Sequence, residues 1–270
     1  MRMAGLSRGL FAVASAGLAM LSLAYGGSAL IGQTVSAWMP WVYGSALLVL
    51  LASVGLCFSS TAVPSALTIG AYLAIWALAG TPRIVVKPLS VDAWYGFCEA
   101  LTSLSGAWIL FAGLRGRPRG SALPIARALA VRTAPILFGL TCVFYGWSHF
   151  FYAAYTASMV PGWLPFHLGF AYFTGVAHIA AGVGIIVGVV PRLAATLEAV
   201  MMSLFGLMVW IPSFFSQPRP GWATPPQNQW SELVVTLLLA ASAWIVAASF
   251  AHRPWVLALR PFRAPRPPIT

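Results

Sequence analysis

Four ionisable side chains interrupt the apolar second half of this chain: His149, His178, Glu198 and Glu232. Ionisable groups are costly inside apolar runs, so each is a candidate for chemistry. Tyr145, His149 and Tyr152 recur at i, i+4 and i+7, which places them on one helical face. Glu198 and Met202 share a face by the same rule, with Phe205 next along it. Imidazole titrates near neutral pH, so His178 together with Glu198 suits the holding or moving of a proton. His149 and Tyr145 offer hydrogen bonds to the oxygens of a ligand. Tyr152, Trp163, Met202 and Trp210 offer walls, and Glu232 offers one more polar contact. A few polar groups converging in apolar surroundings are the usual form of a small-molecule site.

The rise of a helix turns positions into depths. His149 lies about 24 Å from the start of its apolar run, and His178 about 16 Å from the start of the next, which runs the opposite way. Glu198 lies about 9 Å into the run after that, so His178 and Glu198 differ by only about 5 Å in height and can pair. His149 and His178 differ by about 10 Å, a poor arrangement for two ligands of one iron. Haem is therefore disfavoured, a two-His, one-carboxylate metal site meets the same stagger, and no metal is assigned. A proton relay tolerates the stagger, and so does a site for a quinone or another lipophile, which needs His or Tyr donors and aromatic walls. His167 and His252 read as interfacial and solvated residues.

The elements that must position these groups are membrane spans. Hydrophobic residues make up 60% of the chain and charged ones 7%, too few charges to cover a water-facing surface. Apolar runs occupy 9–31, 41–58, 63–80, 94–114, 134–156, 167–190, 192–213 and 230–250. The expected fold is all-α, with eight transmembrane helices as two tandem four-helix bundles. The first run is long for a signal peptide and reads as an uncleaved span. The net charge of +11 comes from Arg and Lys in the gaps between runs, which reads as topology and lipid contact, with no nucleic acid as partner. Of the 15 Lys and Arg residues, all but Arg83, Lys87 and Arg219 fall on one side of an eight-span arrangement. That places both termini in the cytoplasm. Cys57, Cys98 and Cys142 form no CxxC pair and read as small hydrophobes.

Internal landmarks recur. Trp38-Met39-Pro40-Trp41 is echoed by Trp163-Leu164-Pro165-Phe166, Pro64 by Pro191, and Trp94 with Trp108 by Trp230 with Trp244. Four spans per half is an even number, so the repeat is parallel. The expected division is 1–115 as a degenerate transmembrane half, 116–133 as a basic cytoplasmic linker, 134–250 as the second half, and 251–270 as a Pro/Arg-rich cytoplasmic tail.

The second half resembles the DoxX family. The resemblance rests on Gly146-Trp147-Ser148-His149, Met159-Val160-Pro161-Gly162-Trp163-Leu164-Pro165, Thr174-Gly175-Val176-Ala177-His178 with Gly182, and Pro191-Arg192-Leu193-Ala194-Ala195. It implies that Arg192 is a cytoplasmic anchor and that Glu232 is the acidic residue opening the last span. His178 stands where the family commonly has Glu. The resemblance also implies a bacterial inner-membrane protein, the membrane component of a redox system, bound to a lipophilic, quinone-like molecule and to a redox protein partner or membrane complex. Two other functions stay open: a non-catalytic scaffold or assembly subunit, and a small-solute or proton-coupled transporter. No span carries a Gly/Pro break at mid-depth, which weighs against the transporter.

Overall fold

The computed structural model describes residues 2–28, 33–34, 39–114, 122–215 and 226–256. Within these the chain is helical apart from one antiparallel two-residue pair, β1 (Gly27–Ser28) with β2 (Gln33–Thr34). The helices are α1 (Arg2–Tyr25), α2 (Met39–Gly55), α3 (Ala62–Val86), α4 (Val91–Gly113), α5 (Ala122–Phe151), α6 (Ala153–Met159), α7 (His167–Val187), α8 (Pro191–Phe205), a π-helical turn at Gly206–Trp210, α9 (Ile211–Ser213) and α10 (Pro226–Ser249).

Six of these helical segments are long and apolar enough to cross a bilayer: Gly5–Tyr25, Ala62–Val86, Pro124–Phe151, His167–Val187, Pro191–Ser213 and Pro226–Ser249. The protein is therefore a multi-pass helical membrane protein. Two of the eight expected spans do not reach that standard. α2 has only 17 residues. α4 has the length, at 23 residues, but Asp92, Glu99, Thr102, Ser103 and Ser105 dilute its hydropathy.

Packing follows from side-chain size. Large apolar side chains point outward: Leu47, Leu48, Leu51 and Val54 on α2 are all exposed, as are Val13, Leu78 and Val183 elsewhere. The interior mixes large side chains such as Phe11, Phe138 and Leu238 with small ones, and Ala240, Ala241, Ser242 and Ala243 of α10 are almost completely enclosed. The small residues let backbones approach, as helices packed in lipid require. Several buried hydroxyls bond to their own helix: Ser22 to the Leu18 carbonyl, Ser53 to Val49, and Ser242 to Leu238. These hydroxyls then need no water in the hydrocarbon.

The helices pack as a ring. α1 contacts α2, α2 contacts α3, α3 contacts α4 and α4 contacts α5; α5 continues to α7, α7 to α8, α8 to α10 and α10 back to α1. α4 and α10 also meet across the ring. A Cβ at Gly106 of α4 would stand 2.8 Å from the Cα of Ser242 of α10, so the two backbones nearly touch there.

Two expectations about boundaries need correction. Residues 122–133, expected in a linker, are the first three turns of α5; Ala126 and Ala130 give them an apolar side that continues the span, and Ala130 is fully buried. α3 runs on to Val86 through Pro82, beyond the expected end at 80. The segments 115–121 and 257–270, and with them Trp38 and Arg219, lie outside the described residues.

Candidate functional site

The site begins with a pair of closely packed antiparallel helices. Gly139 and Gly146 of α5 lie against Gly182 and Gly175 of α7. A Cβ at Gly139 would come within 2.8 Å of the Gly182 carbonyl oxygen, and one at Gly146 would overlap that of Gly175. This contact fixes the register and brings His149 of α5 beside Ala171 and Thr174 of α7.

The two histidines meet. Their ring centroids are 5.1 Å apart, edge to face. The roughly 10 Å stagger expected between them is thus overturned as a separation of the rings. Every Cα–Cβ bond leans toward its own helix N-terminus. α5 and α7 run in opposite directions, so His149 and His178 lean toward each other and close the gap left by their backbones. The Phe205 ring of α8 completes the contact, stacked 6.1 Å from His149 and tilted 5.9 Å from His178.

His178 and Glu198 pair as their heights suggested. Nδ1 of His178 lies 2.8 Å from Oε1 of Glu198, and both side chains are almost completely enclosed. The other carboxylate oxygen, Oε2, has no hydrogen-bond partner among the described residues. The buried Cys142 thiol lies close enough to the same carboxylate to interact with it. Nothing in its spacing could have signalled that, because α5 and α8 are far apart in sequence.

His149 is held differently. Its Nδ1 lies 2.8 Å from the Thr174 hydroxyl and 3.3 Å from the Ala171 carbonyl oxygen. That hydroxyl also lies 2.9 Å from the Phe170 carbonyl oxygen. Its single proton can go to either neighbour. Given to the carbonyl, it leaves Thr174 accepting from Nδ1–H, and Nε2 is then an acceptor. Given to Nδ1, it leaves Nε2–H as a donor.

His149 and Thr174 form part of the wall of a cavity of about 410 Å³. Its remaining wall is mainly apolar: Phe170, Phe173 and Ala177 of α7, Leu197, Val200 and Leu204 of α8, and Met208, Val209 and Trp210 of the π turn. A π turn inserts one residue into the helical repeat and rotates the helix beyond it. Here that rotation accompanies the burial of Trp210 against the cavity.

The remaining predicted residues are spread more widely. Tyr145 is buried, its ring 6.0 Å from His178 and its hydroxyl 3.0 Å from that of Thr102 on α4. Thr102 in turn donates to Thr141 at 2.7 Å, and Tyr95 donates to Ser148 at 2.6 Å. These α4–α5 contacts carried no sequence signal beyond polar residues on both helices. Met202 is in the core and does not line the cavity. Trp163 is exposed and Tyr152 is half-buried; neither lines the cavity. Tyr152 donates to the Asp92 carboxylate at 2.8 Å, and desolvation together with that carboxylate raises its phenol above the usual 10. Glu232 sits on α10 close enough to Glu99 of α4 for their charges to interact, away from the cavity wall. Arg192 packs its guanidinium 4.0 Å over the Trp255 ring and donates to the Arg253 carbonyl oxygen at 3.3 Å. It anchors the chain beyond α10 to the start of α8. Among the described residues no group of three or more His, Cys, Asp or Glu side chains could hold a metal ion.

Residues 121–247, just under half of the chain, match a family described as a domain of unknown function, DUF8561. That finding replaces the DoxX resemblance, for which no family match appears. The physical reason lies in the motif residues. Gly146, Gly175 and Gly182 are required by any pair of helices packed as closely as α5 and α7, so their recurrence follows from packing. No curated protein and no solved structure matches the chain.

Proposed function

We propose that this chain binds a lipophilic, quinone-like molecule in the cavity beside His149, as the membrane component of a redox system. One observation carries the reading: a single imidazole with a two-state hydroxyl partner stands in the wall of an otherwise largely apolar cavity. A quinone carbonyl needs a donor, and a quinol hydroxyl needs an acceptor. His149 supplies either through Nε2 as the Thr174 hydroxyl turns. His178 and Glu198 lie directly behind, enclosed and hydrogen-bonded to each other, so that a proton could pass along the series without exposure to lipid.

We place this site in the second half of an eight-span, inner-membrane protein with both termini cytoplasmic. α2 and α4 complete the eight, lodged in the ring beside longer neighbours. The charge partition of the loops supports the orientation. A parallel repeat is supported by the ring order, in which α1 to α4 contact one another in the same sequence as α5, α7, α8 and α10. It is supported too by the Gly106–Ser242 contact: the two residues precede Trp108 and Trp244 by the same interval, as positions beside a two-fold axis would.

The reading is tested by extracting lipids from protein purified in mild detergent and measuring quinone by mass spectrometry. Quinone at a constant ratio to protein supports it. Quinone at the level of a control membrane protein, with no thermal shift on adding decylubiquinone, ends it.

A further inference from the structure

The geometry of α7 and α8 points to how the cavity is filled. At the turn that joins them they are tight: a Cβ at Gly184 would lie 3.2 Å from that of Ala194, and the His178–Glu198 bond ties them further along. Beyond that bond they part, and the cavity occupies the space between them. Its far end is covered by the connection from α6 to α7, through Val160, Pro161 and Leu164. Its flank is different. Phe173 on α7 is 66% exposed, while Leu197 and Leu204 on α8 are 58% and 43% exposed. All three also line the cavity. The cavity therefore breaks the bundle's apolar outer surface between α7 and α8, where a bilayer would lie.

We infer that the cavity is loaded sideways from the bilayer through the α7–α8 gap, and that its occupant is an amphiphile whose alkyl or isoprenoid tail stays in that gap. A volume of about 410 Å³ lies toward the small end of ligand cavities and suits a head group better than a whole long-chain lipid. Among the described residues the one imidazole on its wall is that of His149, with the Thr174 hydroxyl beside it, so the hydrogen-bonding head faces inward. The tail then emerges past Phe173, Leu197 and Leu204 without crossing polar surface. The head's identity rests on the quinone reading; the sideways route does not.

The test uses the full-length protein in phosphatidylcholine nanodiscs with two photoreactive probes. One is a benzoquinone bearing a decyl tail with a terminal diazirine. The other is a monoacylglycerol with the same tail chemistry. Crosslinked residues are mapped by mass spectrometry in the wild type, Leu197→Trp and Leu204→Trp. Both substitutions are on the lipid-facing surface and preserve the packed core. The expected result is labelling of Phe173, Leu197 and Leu204 about tenfold above that of Leu47 and Leu48 on α2. Leu197→Trp or Leu204→Trp should cut labelling of the gap to that background. Concentration of the monoacylglycerol alone in the gap supports the sideways route and counts against the quinone. Even labelling of α2, α7 and α8 by both probes overturns the route, as does gap labelling unchanged in both variants.

Discussion

His149 and His178 face each other edge to face, with ring centroids 5.1 Å apart, although one sits in the last turn of α5 and the other at the middle of α7. Only His178 carries a carboxylate partner, and His149 reaches the cavity wall. The two imidazoles thus differ in place: one stands in the cavity wall, and the other is tied to a buried acid.

The His178–Glu198 pair should be costly to break from one side. His178→Ala leaves Glu198 enclosed with neither oxygen bonded, a loss of about 3–5 kcal/mol by analogy with other buried pairs. Glu198→Gln keeps an acceptor for Nδ1–H and should cost less. Thermal unfolding in detergent, monitored by size-exclusion chromatography, orders the variants. Wild type should melt above Glu198→Gln, and Glu198→Gln above His178→Ala. Equal melting temperatures for all three would contradict that order.

The glycine contacts between α5 and α7 should tolerate no side chain. Gly182→Val places carbon atoms where the Gly139 carbonyl oxygen stands, so the helices must separate. Gly44→Ala on α2 meets nothing within 4 Å and should behave as wild type. Monodisperse yield after solubilisation distinguishes them, with a marked loss expected only for Gly182→Val.

Thr174 should matter through its hydroxyl. Thr174→Val preserves shape and removes the partner that lets His149 offer either a donor or an acceptor. Thr174→Ser keeps it. Binding of decylubiquinone should weaken by about fivefold in Thr174→Val and stay near wild type in Thr174→Ser, as one lost hydrogen bond of about 1 kcal/mol requires. Isothermal calorimetry in nanodiscs reads both; equal weakening would assign the effect to packing instead.

Trp210 and Trp163 give a paired control. Trp210 lines the cavity and Trp163 does not, although both were candidates by sequence. Trp210→Ala should abolish the thermal shift caused by decylubiquinone, and Trp163→Ala should leave it intact. The reverse pattern would move the ligand to the surface beside the α6–α7 connection.

Tyr152 and Asp92 define a stability change at alkaline pH. The phenol's pKa is raised in the folded state by burial and by the Asp92 carboxylate. Its contribution is fully present below the ordinary tyrosine value of about 10 and is lost as pH rises through the raised one. Tyr152→Phe should therefore flatten part of the fall in melting temperature above that pH. An unchanged profile would show that Tyr152 contributes nothing to it.

How much was legible in sequence depended on how local the signal was. Apolar runs fixed the long helices because lipid leaves backbone polar groups no alternative. The His178–Glu198 pair was visible because adjacent antiparallel helices make depth computable from residue number. The meeting of His149 with His178 was not, because it depends on the direction in which side chains lean. α5 began earlier than expected because its amphipathic first turns lack the continuous hydropathy of a span. Cys142, Thr102 and Ser148 became informative only once α5 was packed against α4 and α8. The π turn had no signature in residue type at all, yet it contributes three residues to the cavity wall.

The most direct test is the quinone content of the gently purified protein, compared between wild type and His149→Ala at matched melting temperature. Quinone at a fixed ratio to wild-type protein is expected, with its fall to the level of a control membrane protein in His149→Ala. Equal quinone in both, or none above control in either, would contradict a quinone site at His149.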